Sequence, residues 1–332
     1  AAQAPAVEPP RAGPVGQQTA HRVNSSLEVS MADVEAAAGR IAGLVRETPV
    51  AHLGTALSPD YDLTVKLDHL QVTGSFKPRG AFSVLTTAEI PVSGVVAASG
   101  GNFGIAVAYA ASRLGYPATI FVPESSPEEK IGRIGSYGAD VRIIPGFYDD
   151  AREASVDFAA ASGAFTAHAY DQHEVVAGQG TLARELEQQC GFDVVLVAVG
   201  GGGLIAGMAS WLRDRATMVA VEPERCPTWH EALIAGEPVD VEVGGVAASS
   251  LGARRIGEHP WAARTWIDDS VLVGEEEIVE AQRWLWSETR LLVEPAAATT
   301  VAALRSGVFR PPTGARVVAV LSGGNVAPGA VA

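Results

Sequence analysis

The sequence has only two cysteines in 332 residues, Cys190 and Cys226, far apart and with no C-x-x-C spacing. That excludes a disulfide framework and a thiolate metal centre, and two reduced, partly buried thiols are expected. Lysine is almost as scarce. Three occur, Lys66, Lys77 and Lys130, and every other basic residue is arginine. Chemistry that requires a titratable amine therefore has three candidate positions. Positive charge is short overall: 24 Lys and Arg face 38 Asp and Glu, a net charge of −14. Phosphate-bearing partners reward Lys and Arg, so neither a nucleic acid nor a membrane surface is an expected partner. Residues 1–20 lack the apolar stretch of a secretory signal. The uncharged run Val194–Leu212 has membrane-span length, but Gly200-Gly201-Gly202-Gly203 interrupts it. Four glycines break a helix, so the run reads as strand, loop and helix. A soluble, cytoplasmic protein is expected.

What is present is core-forming: 47% hydrophobic residues against 19% charged. The length suits two domains or one large α/β unit. Residues 1–26 offer Pro and Gly without apolar periodicity and read as a disordered leader or tag. Ser30 and Asp33 form a capping-box pattern, and Val34, Ala38, Ile41 and Val45 extend a helix to about Arg46. Strands are expected at Thr64–Leu67, Gly94–Ala98, Ala118–Val122, Asp140–Ile144, Val194–Val199, Met218–Val221 and Arg316–Leu321. Helical patterns lie between them at Gly104–Arg113, Ala151–Ala161, Gly178–Gln189, Leu204–Arg213, Glu275–Glu288 and Ala296–Ser306. Apolar strands alternating with helices indicate parallel sheets covered by helices.

Four constellations could carry chemistry. Gly200–Gly203 follows a strand and opens a helix, where converging amides and the helix dipole favour an anion such as phosphate. The Lys-Ser/Thr of a nucleotide P-loop is missing. A rival reading uses the same window: Gly201, Gly203 and Ala206, with Glu222 ending the next strand, approximate the dinucleotide fingerprint of an NAD(P)-dependent oxidoreductase. Ser99-Gly100-Gly101-Asn102 is a second strand–turn–helix anion site, and Ser322-Gly323-Gly324-Asn325 repeats it. The fourth is Gly74-Ser75-Phe76-Lys77-Pro78-Arg79-Gly80-Ala81, which sets a lysine among glycines, an aromatic and a proline. By contrast, Lys130 in Glu128-Glu129-Lys130 reads as a surface ion-pair partner and Lys66 as an edge-strand charge. Lys77 is the candidate for covalent work, because Schiff-base lysines need a desolvated, positioned setting.

Taken together, Ser75–Ala81, Ser99–Asn102, Ala177-Gly178-Gln179-Gly180-Thr181, Gly200–Gly203, Val221-Glu222-Pro223, Glu294-Pro295 and Ser322–Asn325 give the chain a family likeness. It resembles the fold-type II, tryptophan-synthase-β-like pyridoxal-phosphate enzymes, in their serine/threonine dehydratase and serine racemase branch. The likeness runs from about residue 30 to the C-terminus. It implies an α/β fold of two open, mostly parallel twisted sheets covered by helices. The cofactor would lie in the cleft between a large domain (27–88 and 172–332) and a small substrate-gating domain (89–171).

The resemblance also implies roles. Lys77 would hold pyridoxal phosphate covalently, Phe76 would pack on its ring and Asn102 would bind the ring hydroxyl. Gly200, Gly201, Gly202, Gly203 and Leu204 would hold the phosphate, Ser322 would face the pyridine nitrogen, and Glu294 belongs to the cofactor set. Ser99, Gly100, Asn102 and Phe103 would meet the substrate, with Lys77, Ser99 and Asp171 catalytic. The implied reaction is β-elimination of a β-hydroxy amino acid such as L-threonine or L-serine to a 2-oxo acid and ammonia, by a homodimer. A neutral Ser322 leaves the ring a weaker electron sink than a carboxylate partner would, which favours elimination.

Departures from the family pattern matter. Racemases of the branch carry Ser where Gly100 stands, so little racemisation is expected. Phe103 replaces a common His and admits a bulkier or less polar substrate, so phenylserine and 3-hydroxyaspartate stay open. Metal-binding relatives pair the Glu of Val-Glu-Pro with an Asp six residues on. Glu222 is present but Thr228 stands at the second place, which leaves a divalent cation open. Seven residues follow Asn325 in this sequence, so feedback through a C-terminal regulatory domain is not expected. A binding module that keeps the fold without catalysis is the remaining alternative, and the intact Lys77 speaks against it.

Overall fold

A computed structural model describes residues 26–327 and 329, so the expected leader, Ser26 apart, lies outside the described residues. The strands are β1 (Val50–Gly54), β2 (Asp62–Lys66), β3 (Val95–Ala98), β4 (Ala118–Pro123), β5 (Asp140–Ile144), β6 (Phe165–Thr166), β7 (Val194–Ala198), β8 (Thr217–Pro223), β9 (Asp269–Val273) and β10 (Arg316–Val320). The helices are α1 (Met31–Ile41), α2 (Lys77–Thr87), α3 (Asn102–Leu114), α4 (Glu128–Ser136), α5 (Tyr148–Ser162), α6 (His173–Gln189), α7 (Gly203–Leu212), α8 (Thr228–Ala235), α9 (Ala248–Leu251), α10 (Glu258–Ala262), α11 (Glu275–Trp284) and α12 (Pro295–Ser306). Among the described residues the strands build two sheets, ordered β1-β2-β10-β7-β8-β9 and β5-β4-β3-β6. Every pair is parallel except β1–β2.

Alternation along the central strands explains the layers. Val194 and Leu196 of β7 join a core with Ile278 of α11 and Val301 of α12. Val195 and Val197, on the other face, pack with Leu182 of α6 and Met208 of α7. Both faces are covered, which is why these strands read as continuous apolar runs. The four-stranded sheet packs Val95, Ala97, Ile120 and Val122 against Phe82 of α2 and Ile105 of α3. Each such buried aliphatic contributes about 1.5–3 kcal/mol relative to exposure.

The Ala177–Thr181 run has a packing role. A β-carbon on Gly178 would sit 2.5 Å from the Arg79 carbonyl oxygen, and one on Gly180 2.6 Å from the Gly207 carbonyl oxygen. These glycines seat α6 against α2 and α7 and so fix the helix that starts with Lys77.

Two lysines are not where their sequence context suggests. Lys66 is no edge charge, because β2 lies between β1 and β10 and the side chain is fully buried. Its ammonium donates to the Thr48 carbonyl, Glu185 and Gln189. Lys130 is also buried, and its ammonium lies 3.3 Å from Glu294 Oε1.

Candidate active site

Lys77 is the first residue of α2, with Pro78 next, where a missing amide costs no helical hydrogen bond. The approach is fixed by left-handed backbone at Thr73 (φ 66°) and Gly74 (φ 76°). Ser75 then bridges to Gly323, and the Phe76 amide donates to the Ser322 carbonyl at 3.0 Å. The loop after β10 and the start of α2 are thereby locked together. Among the described residues Lys77 Nζ has one protein acceptor, the Ala169 carbonyl oxygen at 3.2 Å. It lies 4.9 Å from the Phe76 ring centroid and 5.8 Å from that of Phe103. With no counter-ion among the described residues, burial lowers its pKa from 10.5 to about 8. Much of this amine is neutral, and hence nucleophilic, near pH 8.

The residues next to that acceptor lead to the glycine loop. A β-carbon on Gly201 would strike the Tyr170 ring, and one on Gly203 would come 2.9 Å from Tyr170 Cβ. Gly202 has φ +88°, and a β-carbon on Gly200 would crowd Leu251 Cα at 3.0 Å. All four positions reject a side chain, which leaves bare amides at the start of α7, where Leu204 is buried in the first turn. Ala169 and Tyr170 connect the amine of Lys77 to this cradle. Nothing in the sequence singles out Tyr170, which stands next to the expected site residue Asp171. Its ring stacks edge-on to His168, centroids 4.8 Å apart, and burial raises its hydroxyl pKa.

A buried polar chain closes the other side. Asn102 Nδ2 donates to Glu294 Oε2 at 2.8 Å, and Asn325 Nδ2 donates to Asn102 Oδ1 at 2.8 Å. Glu294 also takes Lys130, and Asn325 also takes Arg133. A β-carbon on Gly323 would land on the Glu294 carboxylate, so the second Ser-Gly-Gly-Asn needs its glycine there. Ser322 is buried beside Phe76. In the first turn the Ser99 hydroxyl accepts from the Gly101 amide at 3.3 Å, while Phe103 is buried and faces Lys77.

Two expected residues have contacts of their own with helix N-termini. Asp171 Oδ1 accepts from the His259 amide at 2.9 Å, in the first turn of α10, and so caps that helix. Glu222 is fully buried and accepts from the Trp229 and His230 amides at the start of α8. Burial pushes its pKa up to about 8 although those amides pull it down. Spent on α8, it is not presented to a ribose or to a metal. Among the described residues no group of three His, Cys, Asp or Glu could hold an ion.

A half-buried lysine without a carboxylate partner among the described residues, beside a phosphate-sized glycine cradle, agrees with the family comparison. Residues 41–323 match the model of the pyridoxal-phosphate dependent enzymes. The chain belongs to that family. Pyridoxal phosphate is its cofactor, and the residues present fit the group: Lys77 as the amine, Gly200–Gly203 as a cradle no side chain could share. The dinucleotide reading is overturned, since the chain belongs to this family and Glu222 is committed to α8. The L-threonine ammonia-lyase of Geobacter sulfurreducens is 39% identical over 269 residues, which cover 79% of this chain and 66% of that protein. The structure of maize serine racemase superposes with a TM-score of 0.86 at 29% identity, covering 91% of this chain and 95% of that one. A threonine deaminase from T.th. gives 0.83 at 34% identity, with 90% and 99% covered. The fold is therefore that of the fold-type II pyridoxal-phosphate enzymes, as the motifs imply. Among the described residues no helix is long and apolar enough to cross a membrane.

Proposed function

We propose that the chain catalyses pyridoxal-phosphate-dependent β-elimination of a β-hydroxy amino acid, L-threonine or L-serine, giving a 2-oxo acid and ammonia. The observation that carries this is Lys77: a half-buried side chain whose amine has a single carbonyl acceptor among the described residues and is flanked by two aromatic rings. When bound, the cofactor supplies an electron sink for negative charge at the substrate α-carbon. The protein's part follows from its own groups. Lys77 Nζ, released from covalent duty, takes the α-proton, and a pKa lowered to about 8 suits a base that must also be freed again. The amides of the Ser99–Asn102 turn, at the N-terminus of α3, hold the substrate carboxylate. Phe76 and Phe103 keep water from the amine. Gly200–Gly203 and Leu204 hold the phosphate, and Asn102, Glu294 and Ser322 orient the ring. Asp171 and Glu222 are left out of this set, since both are used as helix caps.

The wider reading has three parts. The segments 27–88 and 172–332 form the large domain and 89–171 the small one, supported by the four-stranded sheet lying wholly within the latter. The enzyme works as a homodimer. It works in the cytoplasm, in keeping with its sparse, reduced cysteines. The test is direct: purified protein loaded with pyridoxal phosphate should release keto acid from L-threonine or L-serine, and Lys77→Ala should not. Keto-acid release undiminished in Lys77→Ala would refute the proposal.

A further inference from the structure

The Ser99–Asn102 turn lacks a side chain at Gly100, yet the space above that residue is filled. A β-carbon built on Gly100 would land on the Ser126 hydroxyl, and would lie 2.6 Å from Ser126 Cβ. Ser126 belongs to the loop after β4, held by its amide donating to the Pro123 carbonyl at 2.9 Å. The Ser99 turn follows β3, and β3 and β4 are parallel neighbours, so both loops emerge at the carboxyl ends of adjacent strands. Ligands of open α/β sheets bind at such strand ends. The two hydroxyls differ in their commitments. That of Ser99 already accepts from the Gly101 amide within its own turn. That of Ser126 has no hydrogen-bond partner among the described residues, and the side chain is partly exposed.

We infer that Ser126 is a substrate-binding residue: its hydroxyl, delivered from the neighbouring loop into the space left by Gly100, donates a hydrogen bond to the substrate carboxylate held at the Ser99–Asn102 turn. The glycine and the serine act as a pair. Gly100 gives up its side chain so that Ser126 can reach over the turn, and any side chain at 100 displaces that hydroxyl. This rests on the lyase reading above and names which further group recognises the carboxylate.

The experiment is a spectral titration of the cofactor-loaded enzyme with L-threonine and, separately, with 1-aminopropan-2-ol, the same molecule without its carboxylate. Loss of one hydrogen bond to a carboxylate predicts that Ser126→Ala weakens L-threonine by about 10- to 100-fold. The amine should bind as before, because its affinity contains no carboxylate contribution. Moving the hydroxyl back, with Gly100→Ser combined with Ser126→Gly, should bring L-threonine to within a few-fold of the parent. Equal weakening of both compounds would mean a merely structural role and overturn the inference, as would an unchanged L-threonine affinity or a failed rescue. A parental enzyme that responds to neither compound would instead contradict the lyase reading, and this inference with it.

Discussion

Lys66 and Lys77 stand eleven positions apart, the first fully buried and the second half-buried, and their surroundings are opposite. Lys66 is surrounded by acceptors: the Thr48 carbonyl, Glu185 and Gln189. Its region continues as a charge network in which Arg79 pairs with Asp68 at 2.7 Å and with Glu185 at 2.9 Å. Burial alone would raise the Asp68 pKa, but Arg79 holds it below the usual carboxylate value. Among the described residues Lys77 has one carbonyl and two aromatic rings, and no carboxylate. A buried cation that is fully paired has a structural role. A buried cation left unpaired is kept out of its preferred charge state, and that makes it reactive. Lys130 falls between them, with one carboxylate partner, Glu294, shared with Asn102 at the edge of the site.

The contrast can be broken at each end. The largest effect should come from Lys77→Ala, which removes both the covalent anchor and the base: turnover should fall by at least the roughly 10²–10⁴-fold of a lost general base, with the melting temperature little changed. Lys66→Met should do the reverse. It takes one of two cations from Glu185, which keeps Arg79, and losing a charged hydrogen-bond donor from a buried network costs about 1–3 kcal/mol, read as an earlier denaturant midpoint. Keto-acid release per folded molecule should survive. A Lys66→Met protein of normal stability but low turnover would invert the comparison.

Lys130→Met should give a mixed result, about 1–3 kcal/mol of stability together with a measurable drop in turnover, because Glu294 loses its ion pair where it positions Asn102. The smallest effect is one of pH. On the proposed function Lys77 is the amine that would hold the cofactor; only its neutral form is nucleophilic, and its pKa is about 8. The rate at which pyridoxal phosphate attaches to cofactor-free protein should therefore rise nearly tenfold per pH unit below 8 and level off above it. Attachment still climbing steeply to pH 10 would mean an unperturbed amine.

Much of the fold was legible because its central strands are apolar on both faces. Ala118–Val122 and Asp140–Ile144 come within a residue of the observed β4 and β5. Strands β1, β6 and β9 were missed. β6 has two residues, and β1 and β9 are sheet edges with partly solvated faces, so no sustained apolar run announces them. Expected helix α1 ends at Ile41, not near Arg46, because the backbone turns extended at Ala42. In the candidate site, Lys77 and the glycine loop stand out in the sequence because both set unusual residue types in a row. Lys66 and Lys130 were misread for a common reason. Their partners Glu185 and Glu294 are more than a hundred residues away in sequence, and local context cannot show such pairings. Asp171 shows a contact that its sequence context does not announce, since a polar loop residue beside a site and one capping a neighbouring helix look alike in sequence.

With only three lysines in the chain, one measurement separates these assignments most directly. The loaded enzyme is reduced with borohydride, which fixes the cofactor to its amine, then digested and mapped by mass spectrometry. The pyridoxyl group should be found on Lys77. Finding it on Lys66 or Lys130, or on no lysine, would contradict the account.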